Sequence, residues 1–305
     1  MARFLLDGRS NPILLHLYAT YLRPIVLFIA HPGAMERWRS FDLRSQSPAW
    51  NQKSCFDMAF SRGLFGRETP MLEKLTFWVA NDRRPLRSLY ISVIMGQKCQ
   101  IPFPHTPALK ELYLHDIKIP FSVENPEQIE RLDTLCGDIG AFREAMMYRN
   151  VAYLRIGIFT NGAGDINQFK RPATFLHLRR LHLLQQISPW FYDMLDAPML
   201  EVVVFEDFIP AQTLRVCSVL PSVKRIEFRW TYMHNASSEV LDRMLPVIIR
   251  QSPALETLLV CRAFEADITR RVRPLLTSGI GSGSLKSLLL VEEPTSEVVV
   301  DVIHF

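Results

Sequence analysis

The chain has 305 residues, of which 48% are hydrophobic and 22% charged, and its formal net charge is +4. This composition excludes a disordered polar chain and predicts a folded protein with a large apolar core. The mild positive charge is not gathered into one block, so we expect no nucleic-acid partner. His16, Arg23 and Pro24 interrupt the apolar segment Ile13–Ala30, so we expect neither a membrane span nor a membrane partner.

The five cysteines stand singly along the chain, with no pair at the spacing of a metal site or a redox motif. They are Cys55, Cys99, Cys136, Cys217 and Cys261. Scattered cysteines are typical of a reducing compartment, so we expect an intracellular protein of the cytoplasm or nucleus. The same spacing predicts no metal site.

A leucine-rich cadence recurs along the chain, with an apolar anchor followed by apolar residues three and five positions later. The clearest copies, in chain order, are Trp38/Phe41/Leu43, Leu72/Leu75/Phe77, Leu109/Leu112/Leu114, Val151/Leu154/Ile156, Leu178/Leu181/Leu183, Leu200/Val203/Phe205, Val223/Ile226/Phe228, Leu255/Leu258/Val260 and Leu285/Leu288/Leu290, with weaker copies at Leu86/Leu89/Ile91 and Ile129/Leu132. A proline stands two residues before five of the anchors, at Pro70, Pro107, Pro198, Pro221 and Pro253. Proline cannot continue a helix and favours extended backbone before it, so each one indicates the entry to a strand.

These signals predict an α/β fold, a leucine-rich-repeat solenoid shaped as a curved horseshoe. Parallel strands would form its concave face, with helices or irregular segments on the convex face; the best helix candidate is Ser237–Arg250. One solenoid would span 1–305, with an N-terminal irregular or capping coil over 1–34 and a possible C-terminal cap over 296–305.

Side chains alternate between the two faces of a strand, so residues two, four and six positions after an anchor should point away from the core. We therefore expect an outward stripe of fourth-position residues: Asp42, Thr76, Tyr113, Arg155, His182, Val204, Glu227, Leu259 and Leu289. Aromatic and arginine side chains dominate binding hot spots. The candidate protein-binding residues are Trp78, Tyr113, Tyr153, Arg155, His182 and Arg229.

Motifs of catalysis are missing from the sequence. It contains no Gly-x-Ser-x-Gly, no His-Glu-x-x-His and no glycine-rich phosphate loop with its lysine. Gly162 and Gly164 begin a dinucleotide fingerprint, but Asn167 replaces its third glycine. We expect no catalytic residues, no cofactor and no enzymatic activity.

Three stretches carry a family resemblance: His31 to Leu43 with its phrase Arg37-Trp38-Arg39-Ser40-Phe41-Asp42-Leu43, then Thr69 to Leu75, and Thr106 to Pro120. They resemble the repeat region of F-box proteins that are abundant in mushroom-forming fungi. In that family an F-box recruits the Skp1 adaptor of a cullin-RING ubiquitin ligase, and the repeats hold the target. No Leu-Pro-x-Glu phrase precedes the repeats here, so the resemblance implies Skp1 binding only if an F-box lies upstream.

The sequence therefore favours a protein-interaction module that resembles the substrate-recognition part of an F-box receptor and binds a protein target on its concave face. A free-standing repeat scaffold unrelated to ubiquitin ligation stays open as an alternative. A less favoured alternative is an enzyme with a pocket in the irregular segments Ser45–Glu68 or Thr160–Gly164.

Overall fold

The computed structural model describes residues 3–4, 13–18, 38–45, 69–79, 101–102, 106–115, 121–122, 125–135, 147–157, 173–184, 195–206, 221–229, 247–249, 251–261, 270, 273–274, 285–291 and 299–304. The chain divides into two compact units, Met1–Val151 and Ala152–Phe305. The weaker cadence copy at Leu86 and the segments Ser45–Glu68 and Thr160–Gly164 lie outside the described residues, apart from Ser45 at the end of a strand.

The first unit is built on a mostly parallel sheet. Its strands are β1 (Arg3–Phe4), β2 (Ile13–Tyr18), β3 (Trp38–Ser45), β4 (Lys74–Val79), β5 (Ile101–Pro102), β6 (Glu111–His115), β7 (Phe121–Ser122) and β8 (Arg131–Leu135). The sheet order is β1-β2-β3-β4-β6-β8, and only β1 is antiparallel to its neighbour. The short strands β5 and β7 form a separate parallel pair.

The second unit repeats this plan. Its strands are β9 (Tyr153–Gly157), β10 (Ala173–Thr174), β11 (Arg180–Leu184), β12 (Leu195–Asp196), β13 (Val202–Glu206), β14 (Arg225–Arg229), β15 (Thr257–Cys261), β16 (Ser287–Val291) and β17 (Val299–His304). The order is β9-β11-β13-β14-β15-β16-β17, parallel up to β16, and β17 runs antiparallel along β16. β10 and β12 form a small parallel pair.

Every clear copy of the cadence lies at a strand, and so does the weaker copy Ile129/Leu132, which leads into β8. The residues three positions after the anchors stand opposite one another, as in the series Leu154, Leu181, Val203, Ile226, Leu258 and Leu288. Each of these six is at most 1% exposed, so the cadence builds the core. Stacked rings of Phe205 and Phe228, 5.6 Å apart, continue that core at the fifth position.

Among the described residues, a hydrogen-bonded turn precedes seven strands, and it explains the spaced prolines. The anchor amide donates to the carbonyl three residues earlier, as in Leu72 to Thr69, Leu109 to Thr106, Leu200 to Ala197 and Leu255 to Ser252, at 3.0 to 3.1 Å. Proline occupies the second position of these four turns, where its fixed φ matches the geometry that the turn needs. The local sequence thus sets the direction in which each strand begins.

Helix is sparse among the described residues. A 3-10 turn spans Pro126–Gln128, where the Asn125 side chain accepts from the Glu127 amide. Residues 247–249, within the predicted helix Ser237–Arg250, are helical, and Ile248 and Ile249 are fully buried. The amide of Ser252 closes this helix on the carbonyl of Ile248 before the turn at Pro253. The described chain is therefore a parallel-rich β fold with few helices.

Charges of alternating sign occupy the position directly after the anchors. In the first unit they are Arg39, Glu73, Lys110 and Glu130, and in the second Arg179, Glu201, Lys224, Glu256 and Lys286. Oppositely charged neighbours approach closely, at 2.9 Å for Lys110–Glu130 and 3.2 Å for Lys224–Glu201. These pairs are exposed, so water screens them and each contributes little to stability. Their alternation still favours this order of strands, because neighbouring like charges would repel.

The anchor position should carry far more stability than the exposed turn residue beside it. Leu200→Ala removes a fully buried side chain and should lower the free energy of unfolding by about 2–5 kcal/mol. Met199→Ala, at a residue that is 51% exposed in the same turn, should change it by less than about 0.5 kcal/mol. Urea unfolding of both variants measures the difference, and equal losses would contradict the assigned core.

Candidate interaction surface

The strands of the second unit have one face in the core, formed by residues three and five positions after the anchors, and in the first unit the described third-position residues are buried in the same way. Residues two, four and six positions after the anchors share the other side, which we call the opposite face. Register keeps equivalent residues adjacent, so these positions form rows across the strands. A set of polar side chains on the opposite face, from β9 to β14, is the candidate interaction surface.

The fourth-position row was expected to be an exposed stripe, and much of it is buried. Thr76, His182, Val204, Glu227 and Leu259 are each at most 6% exposed. The long side chains beside them explain this burial, because strands lie only about 4.8 Å apart. Arg180 on β11 reaches Glu227 on β14, and Arg155 on β9 reaches Glu206 on β13. The buried residues of the row therefore pack beneath the surface, and the arginines form part of its solvent-exposed layer.

Glu227 is the most deeply buried charged group of this surface, with no exposed side-chain area. Its Oε2 accepts from Arg180 Nη2 at 3.1 Å and from Arg229, with Nη2 at 2.7 Å and Nε at 3.1 Å. Arg225 Nε lies 3.0 Å from Oε1 as a close charge contact, without the alignment of a hydrogen bond. Three guanidinium groups thus share one carboxylate, which offsets the several kcal/mol that burying an unpaired charge would cost.

A second cluster surrounds Glu206 on the neighbouring strand. Its Oε2 accepts from Arg155 Nη2 at 3.1 Å and lies 2.7 Å from His182 Nε2. Burial would raise the pKa of Glu206, but the contact with His182 and the charge of Arg155 outweigh it and lower that pKa. Glu206 is therefore ionised at neutral pH and holds both partners in place.

His182 is held neutral in this cluster. Burial lowers its pKa most strongly, and the positive charges of Arg155 and Arg229 lower it further against the opposing effect of Glu206. The Tyr153 hydroxyl lies 3.3 Å from His182 Nδ1. A neutral ring with its proton on Nε2 would accept from Tyr153 and face Glu206 with that proton.

Tyr113 marks a smaller cluster on the opposite face of the first unit. Its hydroxyl donates to Glu111 Oε2 at 2.8 Å, while Lys74 Nζ and the Arg131 guanidinium lie 4.6 and 5.3 Å from its ring centre. Burial and the bond to Glu111 raise the pKa of Tyr113, so the hydroxyl stays protonated. Two cations therefore hold a partly exposed ring in one orientation.

The six residues selected from the sequence fall into three groups. Tyr153 and Arg155 are partly exposed in the β9–β14 surface, and Tyr113 is partly exposed in its own unit. His182 and Arg229 are buried at 6% and 7% exposure, so they support this surface from within. Trp78 lies in β4, opposite Arg44 and His115 in register, and its side chain is outside the described residues.

The six binding candidates taken from the sequence did not include Arg180, Arg225, Glu206 or Glu227, although all four shape this surface. A signal for part of it was present, because Arg225, Glu227 and Arg229 alternate along one strand and so share one face. The convergence of Arg180 on Glu227 carried no such signal, since these residues are 47 positions apart.

The surface offers ion pairing and hydrogen bonding rather than an evident reaction centre. Within the described part of the chain, no three His, Cys, Asp or Glu side chains group as metal ligands. In the same residues, no helix is long and apolar enough to cross a membrane. Comparison with known protein families finds no match, and a search of curated proteins also finds none.

Removing the shared carboxylate should unfold the second unit more readily. Glu227→Gln leaves three guanidinium groups without their common anion and should cost about 3–5 kcal/mol of unfolding free energy. Glu201→Gln removes the same charge from an exposed site and should cost less than about 1 kcal/mol. Chemical denaturation monitored by circular dichroism compares them, and a loss at Glu227 no larger than that at Glu201 would contradict the assigned cluster.

The neutral state of His182 predicts loss of stability on mild acidification. Its pKa is lowered below the usual 6.5 in the folded chain, so the unfolded chain takes up the proton first. The stabilisation is therefore present above pH of about 6.5 and is lost as the pH falls below it. Tyr153 and Arg155 on β9, Glu206 on β13 and Arg229 on β14 face this ring.

Melting temperatures recorded between pH 7.5 and 5 check this prediction. His182→Gln should flatten the dependence between pH 6.5 and 5, whereas His177→Gln, at an exposed turn histidine, should leave it unchanged. The lowered pKa of Glu206 contributes stabilisation that is present above its usual value of 4.5 and is lost only as the pH falls below that value. An unaltered slope in His182→Gln would refute the assignment.

Proposed function

We propose that the chain is a leucine-rich-repeat protein-interaction module that binds a protein target on the opposite face of its strands. The second unit carries the most developed part of that face, and the proposed solenoid would present it as its concave side. Parallel strands in register, several of them entered through a similar turn, support the repeat architecture. No catalytic step is assigned to it.

One observation carries the proposal: the partly exposed arginines of the second unit are held in fixed positions by the buried carboxylate of Glu227 and the partly buried carboxylate of Glu206. Arg155, Arg180 and Arg225 have 22%, 29% and 33% of their side chains exposed, and each pairs with Glu206 or Glu227. Side chains that are ordered before binding lose little entropy when a partner docks. Arginine and tyrosine are also the residue types that dominate binding hot spots.

The resemblance to fungal F-box proteins supports a particular setting for this activity. In that setting the repeats hold a target while an F-box upstream binds Skp1. The alternative is a free-standing repeat scaffold with partners outside ubiquitin ligation. A form extended upstream, if the locus encodes one, distinguishes them: capture of Skp1 and cullin by the extended form supports the receptor role, and capture of neither supports the scaffold.

A substitution on the opposite face should abolish target capture while the fold is kept. Leu289→Arg changes a partly exposed residue on that face of β16 and leaves the arginine clusters intact. Leu176→Arg makes the same change at a residue that is 59% exposed in a turn outside the strands. Proteins captured by the wild-type chain are identified by mass spectrometry, purified and tested again for direct binding.

We expect Leu289→Arg to weaken direct binding by at least about tenfold and Leu176→Arg to leave it near the wild-type value. Matching melting temperatures show that both variants are folded. Equal binding by the two folded variants would remove this part of the opposite face from the interface and contradict the prediction that the interface reaches β16.

A further inference from the structure

A single row of second-position residues crosses the second unit at the strand starts, and five of its six members carry side-chain hydrogen-bond donors. Register places Tyr153, Arg180, Val202, Arg225, Thr257 and Ser287 side by side on β9, β11, β13, β14, β15 and β16. We call these six residues the donor row. Because register partners in parallel strands share a face, all six belong to the opposite face.

The two arginines of the donor row carry more positive charge than the acidic side chains paired with them neutralise. Among the described residues, Glu227 is the only acidic side chain that pairs with Arg180 or with Arg225. That carboxylate is shared with Arg229, which forms the shortest contact to it. One negative charge therefore serves both row arginines, and the pair keeps a positive surplus even when all of Glu227 is assigned to them.

The surplus lies where a ligand can reach it. Arg180 and Arg225 are 29% and 33% exposed, and the smaller Val202 stands between them with no polar side-chain group. Their backbones are two strand spacings apart, roughly 10 Å. Both guanidinium groups nevertheless contact the one carboxylate of Glu227, so an oxyanion that approaches them from the solvent side would meet both, in a setting of lower dielectric than bulk water.

Hydroxyl groups extend the row beyond the arginines. Thr257 Oγ1 and Ser287 Oγ lie 3.2 Å apart at one end, and the Tyr153 hydroxyl lies beside His182 at the other. Hydroxyls donate to carboxylate and phosphate oxygens and to peptide carbonyls alike. The row thus suits an extended segment with an anionic group near its middle.

We propose that the donor row binds an anionic segment of the partner protein, through a carboxylate or phosphate group held between Arg180 and Arg225. This inference rests on the proposed function and names the chemistry of the partner. The charge complementarity lies in the two guanidinium groups that share Glu227, and the fixed positions of both arginines favour a segment that crosses the strands.

Fluorescence anisotropy with defined peptides tests the proposal on the full chain. The probes are a labelled glutamate-rich peptide, a phosphoserine peptide of equal length and a lysine-rich peptide of opposite charge. We expect both anionic probes to bind, with affinity that falls as salt rises from 50 to 200 mM, and the lysine-rich probe not to bind. The tighter of the two anionic probes indicates which group the partner supplies.

Charge-matched variants distinguish binding by the two arginines of the donor row from general attraction to the positive charge of the chain. Arg180→Gln with Arg225→Gln should weaken binding of the anionic probes by at least about tenfold. The control, Arg179→Gln with Lys224→Gln, removes the same two charges from exposed residues directly before the same strands and should weaken it by less than about threefold. Equal losses in the two double variants would overturn the site.

Val202→Glu provides a test that leaves every arginine in place. The new carboxylate would lie between Arg180 and Arg225 and compete with the ligand, so probe binding should fall by at least about tenfold while the melting temperature is kept or raised. Val202→Gln has a similar size and no charge and should retain binding within about threefold. Equal binding by these two variants would also overturn the inference.

The outcomes of these experiments distinguish failure of the anionic-segment inference from failure of the proposed protein-interaction function. Loss of target capture by Leu289→Arg, together with no binding of either anionic probe, would keep the protein-interaction role and reject the anionic segment. Binding of the anionic probes with unchanged target capture by Leu289→Arg and by Val202→Glu would show an anion site outside the target interface, and would overturn the proposal as stated.

Discussion

The in-register stacking of apolar side chains three residues after each turn is the constraint on which the other features depend. Leu154, Leu181, Val203, Ile226 and Leu258 occupy the same level of successive strands, and each is at most 1% exposed. Burying one such side chain contributes roughly 1.5–3 kcal/mol, and a one-residue slip would turn the whole set to the other face. Among the described residues, no exposed ion pair stabilises the register on that scale.

A fixed register has consequences for polar residues that have no part in the core. Positions equivalent in the cadence become neighbours, so charges after the anchors alternate along the strand starts. Arg180 at a second position reaches Glu227 at a fourth, and Arg155 at a fourth position reaches Glu206 at a sixth. Buried carboxylates are a poor source of net stability, because desolvation offsets much of their attraction to arginine. What Glu206 and Glu227 provide is the placement of the guanidinium groups around them.

That placement connects the fold to the proposed role. A flexible arginine on a loop would lose rotamer freedom on binding, whereas Arg180 and Arg225 are already held at a buried carboxylate. Tyr113 shows a related arrangement in the first unit, where a bond to Glu111 and two flanking cations orient its ring. Both sites combine an exposed recognition group with a partner that orders it, which is the physical basis for proposing a binding surface.

The sequence by itself determined where the strands that carry the cadence begin and which of their residues enter the core. The anchors, the residues three positions later and the prolines before them are local signals, and even the weaker copy at Ile129 and Leu132 leads into β8 as its cadence predicts. Alternation along a strand also predicted which residues leave the core side. Tyr153 and Arg155 were identified in this way and lie in the β9–β14 surface.

Only the tertiary structure decided what the opposite face exposes. His182, Glu227 and Arg229 were expected to point outward, and they do lie away from the core, yet all three are buried. The reason is that their covering groups come from other strands: Arg180 reaches Glu227 across 47 residues of sequence, and Arg155 reaches Glu206 across 51. Such contacts depend on which strands become neighbours and in what register. The residues between the two members of each pair carry no local signal of which strands will become neighbours.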